Sequence, residues 1–106
     1  MPKNKRRNVE NVESRKVRVP AEGEVLGIVI QLLGSGMVKV HCTDGYTRTC
    51  RIPGRMRKRT WIREGDVVLI APWDFQFEER GDILWRYTQS QAQWLEKRGY
   101  IKLEEV

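Results

Sequence analysis

The sequence predicts an all-β domain: a five-stranded barrel with one short helical turn in its longest connection and a helix at its end. Three observations carry this. From Gly23 onward, short β-branched apolar runs alternate with glycine-centred turns, the pattern of a small barrel or sandwich. The connector after the third run, RIPGRMRKRT, holds a stretch suited to one helical turn. The last segment carries capping signals at both ends. A length of 106 residues fits one domain with one modest core, and no internal repeat is found.

Residues 1–20, MPKNKRRNVENVESRKVRVP, are polar and basic and lack any period that would bury a face. They are expected to form a tail, mobile in isolation. The barrel is expected over 21–89. Its first strand runs from Val25 to Leu33, with Gly27 inside it as the mark of a bulge or sharp bend. Gly34-Ser35-Gly36 turns the chain into MVKVHC, whose alternation puts Val38, Val40 and Cys42 on one face and Lys39 and His41 on the other. Asp44-Gly45 is a hairpin turn into the third strand, YTRTCRI, with Cys42 facing roughly Thr47. A regular third strand places Arg48, Cys50 and Ile52 on one face, an awkward parity for an arginine, so a bulge is expected there, with the side that Arg48 takes left open. Gly65-Asp66 opens the fourth strand, DVVLIAP, and the loop WDFQFEERGD leads to the fifth, ILWRY. Residues 90–106 hold the final helix and a short end. Ser90 is taken as its N-cap with Gln93 completing a capping box, and Gly99 as its C′ residue; Leu95, with Trp94 or Gln91, packs it on the barrel. Trp85 and Trp94 are assigned to packing and Trp73 to a partly exposed loop. Five strands with a helical turn between the third and fourth match the OB-fold, a Greek-key barrel.

The net charge of +6 favours a polyanionic partner. Its distribution says more than its sum. From Arg48 to Arg63 there is no acidic residue, while Arg48, Arg51, Arg55, Arg57, Lys58, Arg59 and Arg63 all fall inside that span. A solvated helix face ordinarily mixes both signs. Repulsion among close cations weakens the free protein, so a partner that relieves it explains the segment better. At about 100° per residue Lys58 lies nearly opposite Met56, which anchors the turn inward and turns the cations outward. Lys39 and His41 extend the patch on the second strand. Trp61 has two readings: stacked on a base, worth about 1–3 kcal/mol, or packed with Ile62.

No chemistry of catalysis emerges. His41 is the only histidine; no acid or base stands beside it in sequence, and the thiol of Cys42, which follows it, is on the opposite face of the strand. Glu78-Glu79 is adjacent rather than convergent, and Gly34-Ser35-Gly36 lacks the Lys-Ser/Thr and helix of a phosphate loop. Cys42 and Cys50 make neither a metal set nor a disulfide framework and are expected to be reduced, partly buried thiols. No apolar stretch approaches the roughly 18 residues of a membrane span, and the basic N-terminus leads into no signal-peptide core. The expectation is a cytoplasmic RNA-binding protein, not an enzyme, with no cofactor and no metal.

RIPGRMRKRTWI, together with LLGSGMVKVHCTDG, resembles the translation initiation factor 1A family of archaea and eukaryotes, relatives of bacterial initiation factor 1. The resemblance extends through ILWRY and the final helix. It implies an OB-fold that binds rRNA at the A site (the decoding region) of the small ribosomal subunit. Such a factor keeps elongator tRNA out, helps place initiator tRNA in the P site over mRNA, and acts with other initiation factors. Carried over residue by residue, the RNA-binding set is Arg48, Arg51, Arg55, Arg57, Lys58, Arg59, Trp61 and Arg63, with Lys39 and His41 as weaker members. Lys3, Lys5, Arg6 and Arg7 of the tail are expected to reach rRNA, mRNA or tRNA. Eukaryotic members have a long acidic C-terminal tail that meets the subunit-joining GTPase factor. The ending Leu103-Glu-Glu-Val106 departs from that and looks archaeal. A monomer off the ribosome is expected. Two other readings remain: an integral ribosomal protein, and an OB-fold single-strand binder or RNA chaperone.

Overall fold

The computed structural model describes residues 17–59 and 62–103, and only the backbone for 57–59. Five strands, β1 (Val25–Gly34), β2 (Met37–Cys42), β3 (Thr47–Arg51), β4 (Val67–Pro72) and β5 (Arg80–Arg86), close into a barrel in the order β1-β2-β3-β5-β4. Helix α1 (Gly54–Arg59) lies between β3 and β4, and α2 (Gln89–Lys97) follows β5. All neighbouring strands run antiparallel except β3 and β5, which are parallel (Thr49 beside Arg80, Arg51 beside Asp82). This is the OB-fold that the strand plan predicts.

The dense apolar run of β4 has a direct cause: the strand is covered on both faces. Val68 and Ile70 point into the barrel with Val29, Val38, Val40, Cys42, Cys50, Ile52, Ile62 and Ile83. Val67 and Leu69 point outward into a second cluster with Leu26, Ile28, Tyr87, Ala92, Leu95 and Ile101, beneath α2. A strand buried on both sides reads as continuous hydrophobicity. Val17 belongs to this second cluster, and the Tyr87 hydroxyl donates to the Arg18 carbonyl. Packing therefore begins before the expected tail boundary at residue 20, because the outer face of β1 and β4 needs cover. The tail cations Lys3, Lys5, Arg6 and Arg7 lie outside the described residues.

Gly27 has a reason other than the expected bulge. It sits in regular pairing, opposite Cys42 on β2 and Val68 on β4. A Cβ there would lie 2.5 Å from Val40 Cγ1 and 2.9 Å from the His41 carbonyl oxygen. The bulges of β1 come later, between Val29 and Gln31 and between Leu32 and Gly34, so that Ile30, Leu32 and Leu33 lie exposed. Gly27→Ala is expected to destabilise the protein by about 1–3 kcal/mol, the cost of overpacking. The unfolded-state entropy that alanine removes, about 0.4–1 kcal/mol in its favour, is too small to offset this. Urea titration followed by tryptophan fluorescence measures the difference.

Helix α2 is capped by Thr88, two residues earlier than expected. The Gln91 N–H donates to Thr88 Oγ1 at 3.2 Å and the Thr88 N–H donates to Gln91 Oε1 at 3.0 Å. Both Thr88-x-x-Gln91 and Ser90-x-x-Gln93 satisfy the capping-box pattern. Thr88 wins because Tyr87 then precedes the cap and shares the buried cluster with Ala92, in the arrangement of a hydrophobic staple. At the other end Gly99 takes φ 84°, with Tyr100 N–H on the Leu95 carbonyl and Gly99 N–H on that of Glu96. This Schellman termination agrees with the C′ role read for Gly99.

Candidate nucleic-acid interface

The basic connector is fastened at both ends and in its middle. Ile52 before α1 and Ile62 after it are both buried in the barrel interior, and Met56 packs against the same cluster. The Met56 N–H donates to the Pro53 carbonyl at 2.9 Å, which starts the helical turn. Met56 is thus the inward anchor that the helical spacing predicts. Arg55 is exposed on α1 and Arg63 is exposed beyond it. The Arg63 N–H donates to Asp66 Oδ2 at 2.8 Å, and Arg86 Nε lies 2.9 Å from the same oxygen. One carboxylate therefore sets the chain's entry into β4. The side chains of Arg57, Lys58 and Arg59, and all of Trp61, lie outside the described residues.

Strand pairing puts Lys39 opposite Thr49, His41 opposite Thr47 and Met37 opposite Arg51, on the outer face of β2 and β3. His41 Nδ1 is 3.2 Å from Thr47 Oγ1, which orients the ring along the sheet. Arg51, with its side chain 60% exposed, is held rather than loose. Its Nε is 3.2 Å from Asp82 Oδ1, and its guanidinium lies over the Trp73 ring at 5.9 Å from the centroid. Trp73 Nε1 donates to the same Asp82 oxygen at 3.0 Å. The parallel register that sets Arg51 beside Asp82 creates this triad, which no reading of spacing along the chain reveals.

Arg48 departs from its expected place. The third strand has no bulge: Val38 pairs with Cys50, Val40 with Arg48 and His41 with Thr47 in unbroken register, and Cys42 meets Tyr46, not Thr47. Arg48 therefore stays on the inner face and is 1% exposed. Its Nη1 and Nη2 donate to Asp44 Oδ1 and Oδ2 at 3.0 and 2.8 Å, and its Nε donates to the Phe77 carbonyl. A group so enclosed is a brace between two loops, not a surface contact for RNA.

The charges around it follow. Burial pushes the Asp44 carboxyl up, but the two hydrogen bonds from Arg48 and the Tyr46 N–H outweigh it and hold the group below its ordinary range. Burial disfavours the charged guanidinium too, and Asp44 and Cys42 overcome it, so Arg48 holds its proton more firmly than a free arginine. Burial raises the Cys42 thiol and pushes Cys50 up to about 12, so both are protonated and inert at neutral pH. Both are free thiols inside the barrel.

Trp85 is 43% exposed, against its expected role in packing. Trp94 is half-buried, stacked on Tyr100 at 6.3 Å with Arg98 over its ring at 5.0 Å. Among the described residues no three His, Cys, Asp or Glu side chains gather to hold a metal, and no helix is long and apolar enough to cross a membrane.

The sequence model of the family described as Translation initiation factor 1A / IF-1 matches residues 14–106. Translation initiation factor 1A of Methanothermobacter thermautotrophicus is 56% identical over 97 residues, covering 92% of this chain and 98% of that protein. The protein of that name from Pyrococcus abyssi is 49% identical over 104 residues, 98% of this chain and 91% of its own. Among solved structures, YjeQ from Thermotoga maritima is similar at 27% identity and a TM-score of 0.50. That likeness spans 61% of this chain but 23% of YjeQ, so it concerns one part of that protein. With nearly its whole length matched at such identity, this chain belongs to the translation initiation factor 1A / IF-1 family.

Proposed function

We propose that this protein binds rRNA at the A site of the small ribosomal subunit during initiation. There it excludes elongator tRNA and helps place initiator tRNA in the P site. Its family membership supports a role in translation initiation and an association with the ribosome and the initiation machinery. The decoding-region contact is the finer step, and the anchored connector is the observation that carries it. Ile52 and Met56 tie Arg55 to the end of the barrel and Ile62 does the same for Arg63, so at these two cations little ordering entropy is lost when phosphates bind.

The RNA-facing set is Arg51, Arg55, Arg57, Lys58, Arg59, Trp61 and Arg63, with Lys39 and His41 at the margin and Lys3, Lys5, Arg6 and Arg7 reaching further. Arg51 is the best oriented of the described members, since Asp82 and Trp73 hold its guanidinium while leaving it exposed. Arg48 supports the surface from within. The protein acts in the cytoplasm as a monomer off the ribosome, alongside other initiation factors, and carries out no catalysis.

Sedimentation of cell extract tests this reading. A factor co-sediments with free small subunits at low salt, leaves them in a high-salt wash, and is absent from joined ribosomes. Retention in translating ribosomes through the wash contradicts it and makes the protein an integral ribosomal component. Tight binding to arbitrary free oligonucleotides, equal to that for the subunit, identifies a general single-strand binder instead.

A further inference from the structure

The loop joining β4 to β5 has a composition unlike the rest of this cationic chain. Asp74-Phe75-Gln76-Phe77-Glu78-Glu79 carries three carboxylates and no lysine or arginine, on a protein of net charge +6. Phe75 is 84% exposed and Phe77 47%. Tyr46 of the β2–β3 turn, 41% exposed, meets Phe77 edge-on with centroids 6.2 Å apart. The loop is held in shape. Gln76 takes the left-handed φ of 60°, and its carbonyl accepts the N–H groups of Glu79 and Arg80 at 2.9 and 2.8 Å. Arg48 fastens it from beneath, donating to the Phe77 carbonyl while its guanidinium lies 5.2 Å from the Tyr46 ring centroid and is paired with Asp44.

This cluster lies at the Thr47 end of β3, whereas α1 follows the Arg51 end. It is therefore set apart from the basic connector by the length of β3, with His41, beside Thr47, the nearest of the RNA-facing set. An exposed phenylalanine on a loop of fixed backbone, beside a packed aromatic pair, is what an interface anchor looks like before a partner arrives. Charge decides the kind of partner. A phosphate backbone approaching Phe75 meets Asp74, Glu78 and Glu79; Arg48 is buried and neutralised, and Arg80 at the loop's end sets one cation against three carboxylates. A polypeptide bearing lysine or arginine beside apolar side chains meets complementary charge and an apolar anchor together.

We propose that Tyr46, Phe75 and Phe77, rimmed by Asp74, Glu78 and Glu79, form a docking surface for a basic, apolar-bearing protein segment. The segment belongs to a protein of the small-subunit complex, so that the factor is held by RNA on one face and by protein on another. The inference rests on the proposed subunit binding for where the partner is sought.

The test places a photo-crosslinking phenylalanine analogue at position 75 of the full chain and, separately, at position 55. Each is bound to purified archaeal small ribosomal subunits at low salt and irradiated. From position 75 the expected adduct is protease-sensitive and contains a basic protein. Its yield falls at least fivefold when Asp74, Glu78 and Glu79 are changed together to lysine. A ribonuclease-sensitive adduct alone, no adduct, an acidic partner, or a yield indifferent to the charge reversal each overturns the inference. Position 55 reports on the RNA reading independently: loss of its rRNA adduct sinks the A-site proposal whatever position 75 does. Phe75→Ser, at a solvent-exposed site, is expected to leave thermal unfolding unchanged and to lower subunit affinity about tenfold. Unchanged affinity counts against the docking surface.

Discussion

Replacing Arg57, Lys58 and Arg59 together with serine is expected to lower affinity for the small subunit about a hundredfold at 0.1 M salt. The magnitude follows from counterion release. Each cation–phosphate pair that the substitution abolishes takes about 0.7–0.9 off the slope of log affinity against log salt, hence about that many decades of affinity between 1 M and 0.1 M. Three such pairs give roughly two decades and a slope shallower by about 2–3. The two readouts separate a phosphate-binding surface from a folding defect, because a misfolded fraction lowers apparent affinity without changing the slope. Titrating labelled protein against subunits at several salt concentrations measures both. An unchanged slope removes the connector from the contact surface.

The second large effect concerns Arg48 and Asp44. Asp44→Ala leaves a guanidinium 1% exposed without its bidentate partner. Breaking a buried pair from one side costs roughly 3–5 kcal/mol. Asp44 is itself about one-third exposed, so water reaches the vacated position and the expected loss lies at the lower end of that range. Arg48→Met on the Asp44→Ala background removes the unpaired charge and is expected to recover much of the stability. The acid response carries the same signature. Because the folded Asp44 carboxyl titrates below its ordinary value of about 3.9, its contribution is present in full above that pH. It is lost as pH falls below 3.9 through the folded value, and Asp44→Ala lacks this part of the acid sensitivity. Urea unfolding at pH 7 and pH 3 checks both statements. A single variant as stable as the parent at pH 7 contradicts the buried brace.

The same pair shows where the sequence is legible and where it is not. The alternation Arg48-x-Cys50-x-Ile52 already puts Arg48 on the inner face. A bulge is the natural expectation there, because an arginine's burial depends on a partner that sequence order does not announce. Asp44, four residues earlier, becomes that partner only once the hairpin turns at Asp44-Gly45. Other features are local and therefore plain. The apolar fourth strand is written in DVVLIAP, the inward anchor in the spacing of Met56, and the helix end in Gly99. The N-cap is ambiguous because two overlapping patterns fit, and the packing of Tyr87 and Ala92 decides between them. The Arg51–Asp82–Trp73 triad comes from a parallel strand pairing across 31 residues, and the aromatic loop from a turn that brings Tyr46 and Phe77 together. Tertiary contacts of this kind have no periodic trace.

The family places this chain in translation initiation, and the OB-fold supplies the frame. Where the cationic face lands is a question for chemical footprinting of purified archaeal small subunits, with and without the full chain. Binding at the A site requires that the protein shield decoding-site bases, and that the shielding fade when Arg57, Lys58 and Arg59 are serine. Full reactivity of those bases at saturating protein, with protection elsewhere or nowhere, is incompatible with it.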